Sequence, residues 1–564
     1  MGWWGWAAMA AAAAAWVAVK VLEVLCWRPR RVEEYFARQG IRGPRYRFLV
    51  GCVREMVALM VAASAKPMPP PYRSHNVLPR VLAFYHHWKK IYGKVTFLLH
   101  ALLLPSISKR QKQQQQQQQE EGSTFLIWFG PTPRLAVGDP ELIREVLLAR
   151  ADRFDRYESH PMVRQLEGEG LVSLRGEKWA HHRRVLTPAF HMDNLRLLLP
   201  CVGRTVVDVA DKWRTMAMAA AGEVEIDVSD WFQVVTEDAI TRTAFGRSYE
   251  DGKVVFKLQT QLMAFASEAF RKVFIPGYRF LPTKKNTSSW KLDKEIRKNL
   301  VTLIGRRQEA GDDDKLEGCA KDLLGLMINA SSKGGRKAQP VSPITVNDIV
   351  EECKTFFFAG KQTTSNLLTW VTVVLAMHPE WQERARQEVL DVCGAHGVPS
   401  REQLAKLKTL GMILNETLRL YPPAVATVRR AKADVELGGY LIPRDTELLI
   451  PIMAVHHDTR LWGPDAAQFN PSRFADGVAR AAKHPTAFIP FGLGARMCIG
   501  QNLAILEAKL TVAIILQRFD FRLSPSYVHA PTVLMLLHPQ YGAPIIFRPR
   551  SSPQPADHLT SPHL

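Results

Sequence analysis

Cysteine is scarce and unpaired in this chain of 564 residues. The seven cysteines stand at positions 26, 52, 201, 319, 353, 393 and 498, an odd number with no Cys-x-x-Cys pair. That pattern excludes a disulfide framework and a zinc ribbon, and it fits a reducing compartment. Blocks of one charge are absent too. The formal net charge is +20, but Lys and Arg are dispersed, and no nucleic-acid motif accompanies them, so no nucleic-acid partner is expected. A basic surface of this kind suits an anionic membrane or an acidic protein partner. A dinucleotide fingerprint is also missing. Gly492 and Gly494 begin one, but its third glycine position is Met497 and no βαβ unit follows. The 47% of hydrophobic residues is enough for a large core, and length alone does not set the number of domains.

One long apolar run is present. Residues 3–19 carry no charge, Lys20 and Glu23 interrupt, Val21 to Trp27 resumes, and Arg28, Arg30 and Arg31 follow. The run is long enough to span a bilayer, and its positive flank predicts that the rest of the chain stays in the cytoplasm. A cleaved signal peptide carries its basic region first, the reverse of this order. Residues 1–27 are therefore expected to be an uncleaved, single-pass membrane anchor. Residues 28–92 read as a linker and membrane-proximal segment, stiffened by Pro67-Met68-Pro69-Pro70-Pro71. Residues 93–122 hold an apolar stretch and then a glutamine run, Gln113 to Gln119. They read as a low-complexity insertion, and Phe97 to Leu104 as an alternative second membrane contact.

A globular body is expected over 123–550, followed by a tail, 551–564. Thr124 to Gly130 and Arg134 to Val137 read as a small sheet. Asp139-Pro140 starts a helix through Leu148, mostly helical segments run to about Ala310, and 311–339 reads as a charged linker. A long helix is predicted from about Thr345 to Met377, capped by Thr345 with Asp348 and ended by Pro379. The body is thus mainly α with small β-sheets, an α+β class.

The chemistry converges on Phe491-Gly492-Leu493-Gly494-Ala495-Arg496-Met497-Cys498-Ile499-Gly500. A helix is expected to begin at Cys498, with Ile499, Leu503, Leu506, Leu510 and Ile514 on its apolar face. A cysteine at such a terminus has a stabilised thiolate, fit to be a nucleophile or a metal ligand. Trp179 and Arg183 lie four residues apart on one helical face. Ala359-Gly360-Lys361-Gln362-Thr363-Thr364 puts small residues inside the long helix, where a threonine hydroxyl bonds the preceding turn. The plain reading of Gly360 is a packing notch between helices. Glu416 and Arg419 form an i, i+3 pair, and Phe469 to Phe474 supplies Arg473.

The decapeptide resembles the haem-binding signature of the cytochrome P450 family, Phe-x-x-Gly-x-Arg-x-Cys-x-Gly. Phe491, Gly494, Arg496, Cys498 and Gly500 match its fixed positions. The resemblance implies a cytochrome P450 fold behind an N-terminal transmembrane helix, with haem b ligated at the iron by Cys498. It implies propionate contacts from Trp179, Arg183 and, in Val428-Arg429-Arg430-Ala431, Arg429. It makes Gly360, Gln362 and Thr363 the oxygen groove, with Gln362 where the family usually has Asp or Glu. It makes Glu416, Arg419 and Arg473 a structural lock. A thiolate opposite oxygen favours O–O cleavage, so the implied activity is hydroxylation of an unactivated C–H bond. Electrons would come from NADPH through a separate NADPH-cytochrome reductase on the endoplasmic reticulum membrane, since the chain carries no flavin fingerprint. Ser74 to Pro79, Phe129 to Arg134, Phe154 to Tyr157, Gln165 to Gly168 and Phe358 to Ser365 are similar to the plant subfamily that inactivates brassinosteroids by 26-hydroxylation. Castasterone and brassinolide are then the implied substrates, with gibberellins, cytokinins and triterpenoids as those of related members. A haem isomerase or dehydratase, and a non-catalytic membrane haem protein, are the readings from other classes.

Overall fold

Helix Val346–Met377 is the element around which the others are arranged. The computed structural model describes residues 3–72, 74–93, 124–245, 249–270, 280–309, 322–333 and 344–550. The 93–122 insertion, apart from Gly93, and the 551–564 tail lie outside them. The long helix has 32 residues, roughly 48 Å at about 1.5 Å per residue. Its start is the expected capping box. Thr345 accepts from the Asp348 N–H, and the Asp348 carboxylate accepts from the Thr345 N–H at 2.9 Å. From Ile349 to Phe357 and from Thr364 to Leu375 every residue is buried. Between those two stretches Phe358 to Thr363 are half-buried, so the helix has one window in its middle.

The N-terminal stretch is one continuous helical rod, Trp3–Leu22, a single π turn Glu23–Trp27, and Arg28–Arg38. Its apolar first part is exposed, and a span from Trp6 to Arg38 is long and apolar enough to cross a membrane. The rod meets the body at its end. Tyr46 donates to the Leu25 carbonyl at 2.7 Å, and Phe36 is fully buried. The 28–92 stretch is less of a linker than its prolines imply. Helices Val53–Ser64, Leu78–Val81 and Ala83–Tyr92 put Val53, Val81, Tyr85 and Trp88 into the core. The expected 311–339 linker likewise contains helix Leu323–Lys333, whose Leu323, Leu324 and Met327 are buried.

The main sheet has five strands in the order Thr124–Phe129, Thr132–Val137, Glu447–Ile450, Thr427–Ala431 and Phe154–Arg156. Only the pair Thr132–Val137 with Glu447–Ile450 is parallel. A three-strand sheet of Val224–Asp227, Pro544–Pro549 and Phe519–Leu523 and two short hairpins complete the β structure.

Two contacts fix the site. The first is a buried ion cluster. Arg419 donates to both Glu416 carboxylate oxygens at 2.7 Å, and both side chains have no exposed surface. Arg473 approaches Glu416 at 3.4 Å and the Asn470 N–H donates to it at 2.9 Å. Arg419 also donates to the carbonyls of His456, Ala466 and Gln468. The three residues that the sequence marked as a lock therefore meet. From there a hydrogen-bonded chain leads onward. His456 Nδ1 bonds the Arg419 carbonyl at 3.2 Å, and His456 Nε2 accepts from the Ile489 N–H at 3.0 Å. Ile489 then opens the loop that carries Cys498.

The second contact is Gly360 against helix Val228–Phe245. A Cβ there would lie 2.4 Å from Ile240 Cγ1. The small residue serves the approach of two helices, the packing-notch reading.

Removing one partner of a buried ion pair leaves an uncompensated charge, at a cost of about 3–5 kcal/mol. Glu416→Ala is therefore expected to lower urea-unfolding stability by about that amount; an unchanged midpoint would show the cluster to be dispensable. Gly360→Ala overpacks a filled interface, at about 1–3 kcal/mol, and Ile240→Ala in the same chain should recover most of the lost melting temperature. Failure of that rescue would mean that Gly360 answers to some other neighbour.

Candidate active site

Cys498 sits in a loop, not at a helix start. The helix begins three residues later, at Gln501–Arg518, with Gly500 as its cap. The reason is Met497, whose extended backbone (φ −57°, ψ 148°) follows the turn Gly494–Arg496 and interrupts helical geometry. The loop closes on itself, for the Cys498 N–H donates to the Phe491 carbonyl at 2.9 Å. Gly494 is demanded by the geometry. It has φ +76°, and a Cβ would lie 2.2 Å from the Leu147 carbonyl oxygen. Gly500 meets only ordinary contact, with the Phe190 ring 3.6 Å from where its Cβ would be.

The Cys498 thiol is surrounded by protein yet open to a cavity of about 440 Å³, lined also by Arg183, Phe190, Met497 and Gln501. Its surroundings pull in two directions. Desolvation pushes the thiol up from its ordinary range, while the Gly500 N–H and the Arg183 guanidinium favour the thiolate. The helix-terminus stabilisation expected from the sequence is thus replaced by one N–H and one cation. A soft metal at the sulfur would displace the proton outright.

Trp179 and Arg183 share helix Gly176–Leu186 and both reach the cysteine loop. The Arg496 guanidinium lies over the Trp179 ring, 4.6 Å from its centroid. Arg183 donates to the Met497 carbonyl and Arg496 to the Leu174 carbonyl, each at 2.9 Å. This helix is pinned to the central one. His182 Nδ1 meets the Glu352 carboxylate at 2.6 Å, both buried, and Lys178 donates to Asp348 at 2.6 Å. His182 is thereby a satisfied structural histidine.

The sheet adds a cation that sequence reasoning passed over. Arg156 and Arg429 are direct cross-strand partners, and like charges in that position repel. Arg429 is buried and donates to Thr427 Oγ1 and the Val428 carbonyl. Its burial, with Arg156 and Arg496 nearby, brings its guanidinium down to about 10. Arg156 Nε is buried with no partner among the described residues, and Glu167 approaches Arg156 only at 4.0 Å. Burial pushes that carboxyl up. Three converging guanidiniums, only partly offset by Asp155 near Arg496 and by the distant Glu167, make a cradle for carboxylates. The signal for Arg156 lay in Phe154-Asp155-Arg156-Tyr157, but only the strand register reveals what it faces.

On the central helix Thr363 donates to the Ala359 carbonyl at 2.6 Å, the expected bond to the preceding turn. The Gln362 amide donates to Asn366 Oδ1 at 3.3 Å. Asn366 is buried, and its Nδ2 has no partner among the described residues. Lys361 turns away, pairing with Glu237. Among the described residues, Gly360, Gln362 and Thr363 make no hydrogen bond to the cysteine loop; Gln362 and Thr363 bond within the central helix. Phe190 bridges the two regions, touching the Gly500 side and stacking on Phe356 at 5.6 Å. Glu416, Arg419 and Arg473 stand apart from the cavity and act through the loop that they hold.

A thiol in an open cavity, an arginine cradle for carboxylates and a half-buried window in a long helix are what a thiolate-ligated, carboxylate-bearing cofactor requires. The family model for "Cytochrome P450" matches residues 92–543. "Cytochrome P450 734A6" from Oryza sativa subsp. japonica is 87% identical over 100% of this chain and 99% of its own length. "Cytochrome P450 734A1" from Arabidopsis thaliana is 60% identical, covering 94% of each. "Secologanin synthase 2" from Catharanthus roseus is 38% identical, covering 95% of each. With sequence, fold and cavity in agreement, the chain belongs to the cytochrome P450 family.

Proposed function

We propose that the chain is a haem-thiolate monooxygenase that hydroxylates brassinosteroids at side-chain carbon 26, inactivating castasterone and brassinolide. The observation that carries the haem assignment is the arginine cradle beside Cys498. Haem, when bound, supplies oxygen activation and receives electrons from NADPH through a separate reductase. Cys498 would hold the iron. Arg183, Arg429 and Arg496, with Trp179 stacked on Arg496, would hold the propionates, and Arg156 joins them because its Nε lacks a partner.

The proton path falls to the central helix. Because the Thr363 hydroxyl gives its proton to the Ala359 carbonyl, its oxygen is left to accept from a water. The Asn366 amide, with its unpartnered Nδ2, is a donor one turn further on. Gln362 orients rather than titrates, so proton delivery runs through hydroxyl, amide and water instead of a carboxylate. Phe358 and Ala359 give the window an apolar edge, consistent with a hydrophobic substrate and a dry reaction space. The exposed apolar helix, followed by Arg28, Arg30 and Arg31, supports anchoring in the endoplasmic reticulum membrane with the body in the cytoplasm. Basic residues around Cys498 suit an acidic reductase. The steroid assignment rests on the short segments similar to the brassinosteroid-inactivating subfamily and on the 60% and 87% identical relatives, whose names state no substrate.

Microsomes containing the protein, reductase and NADPH should convert castasterone, and not a gibberellin offered beside it, to a product with one added oxygen at carbon 26 by mass spectrometry. Gibberellin oxidation alone would overturn the substrate. Thr363→Val in the same assay should cut product per NADPH by roughly 10²-fold, the scale of a lost proton-transfer group. Unchanged coupling would remove Thr363 from the proton path.

A further inference from the structure

Away from the cavity, six side chains form one hydrogen-bonded line through the core. Tyr527 Oη lies 2.7 Å from His529 Nδ1, and His529 Nε2 lies 3.2 Å from Tyr421 Oη. Tyr421 Oη lies 2.7 Å from His75 Nδ1, and His75 Nε2 lies 3.0 Å from His378 Nε2. His378 Nδ1 ends the line at the Glu380 carboxylate, 3.2 Å away. His75 and Tyr421 have no exposed surface, whereas the Glu380 side chain is 62% exposed.

The donors can be assigned in one consistent way. Each neutral imidazole has one N–H and one acceptor. Tyr527 donates to His529, His529 to Tyr421, Tyr421 to His75, His75 to His378, and His378 to Glu380. Every link is used once, and the direction runs from the core to solvent. Burial holds His75 well below the ordinary imidazole range and brings His529 down to about 3, so both stay neutral, and the bare Nδ1 of His75 faces the Tyr421 hydroxyl as its acceptor.

An electron donor lies against this line. The Trp370 indole is stacked on the Tyr421 ring, centroids 4.5 Å apart and planes within 12°. Trp370 lies seven residues beyond Thr363 on the central helix, roughly 10 Å at about 1.5 Å per residue. The Trp370 N–H has no partner among the described residues. Oxidised alone, the indole would remain a cation in an apolar core, which is costly. Tyr421 differs because its proton has a path out.

We propose that Trp370 and Tyr421 form a redox relay that drains a one-electron oxidising equivalent from the oxygen-activating site when no substrate bond is within reach. Tyr421 loses one electron, through Trp370, to the oxidant. Its O–H bond breaks, and the proton passes to His75 Nδ1 as the His75 Nε2 proton moves to His378 and the His378 Nδ1 proton moves to Glu380 and water. The product is a neutral tyrosyl radical. A thiol or ascorbate-class reductant returns the electron, and a proton re-enters along the same line. The internal source of oxidant rests on the reading of Cys498 and Thr363 given above; the relay itself does not.

The test uses an external oxidant, so it is separate from turnover. Full-length haem-loaded protein in detergent is flashed with a ruthenium polypyridyl photosensitiser and persulfate, and radicals are read by electron paramagnetic resonance. A neutral tyrosyl radical that forms more slowly in D2O is expected. Tyr421→Phe, which keeps the ring on Trp370, should remove that isotope-sensitive signal, and His75→Gln should slow its formation roughly tenfold. A signal that survives Tyr421→Phe, or formation at equal rates in H2O and D2O, would overturn the relay. The isotope comparison needs no variant and decides the matter if a variant does not fold.

Discussion

The Glu416–Arg419–Arg473 cluster is the constraint on which the site depends. One carboxylate with no access to water sits between two guanidiniums. Burying three charges is costly, and the cost is offset by guanidinium bonds to the backbone carbonyls of His456, Ala466, Gln468, Trp462 and Asp465 and by the Arg473–Asp465 ion pair, with Arg473 Nε left without a hydrogen bond among the described residues. Those carbonyls belong to the segment before Cys498, whose regular structure there is limited to the short helices Ile452–His456 and Thr459–Trp462. The cluster substitutes for a ladder. Through His456 it fixes Ile489, and through the Phe491–Cys498 bond it fixes where the sulfur points.

A second, opposite imbalance lies on the other side of the cysteine loop. Arg156, Arg429 and Arg496 are brought together without a matched set of carboxylates. A protein does not retain such a cluster for its own stability, because facing like charges raise the energy of the fold. Under the proposed haem assignment, an anionic cofactor would relieve that repulsion. Its binding and consolidation of this part of the sheet would then be coupled.

Much of this was legible in the sequence where chemistry is local. The capping box at Thr345, the Thr363 back-bond and the Glu416–Arg419 pair follow from spacing of a few residues. The decapeptide marked Cys498 through its resemblance to the family signature. What was not legible depends on tertiary placement. The helix start slipped from Cys498 to Gln501 because Met497 turns extended. Gly360 answers to Ile240, 120 residues earlier in the chain. Arg156 gained its meaning only from lying opposite Arg429, and Asn366 only from its unpartnered amide. The 28–92 stretch read as a linker because Gly40, Gly43, Pro44 and the Pro67–Pro71 run break its pattern, while its packing comes from single residues such as Trp88 and Val53.

Whether Cys498 and the arginine cradle hold a thiolate-ligated haem is read from the carbon monoxide difference spectrum of the reduced protein, taken for the unaltered chain and for Cys498→His. The long-wavelength Soret band of a thiolate-ligated haem is expected in the first, and the band of an imidazole-ligated haem in its place in the second. A thiolate band that persists in Cys498→His, or haem bound without any thiolate band in the unaltered chain, would contradict thiolate ligation by Cys498.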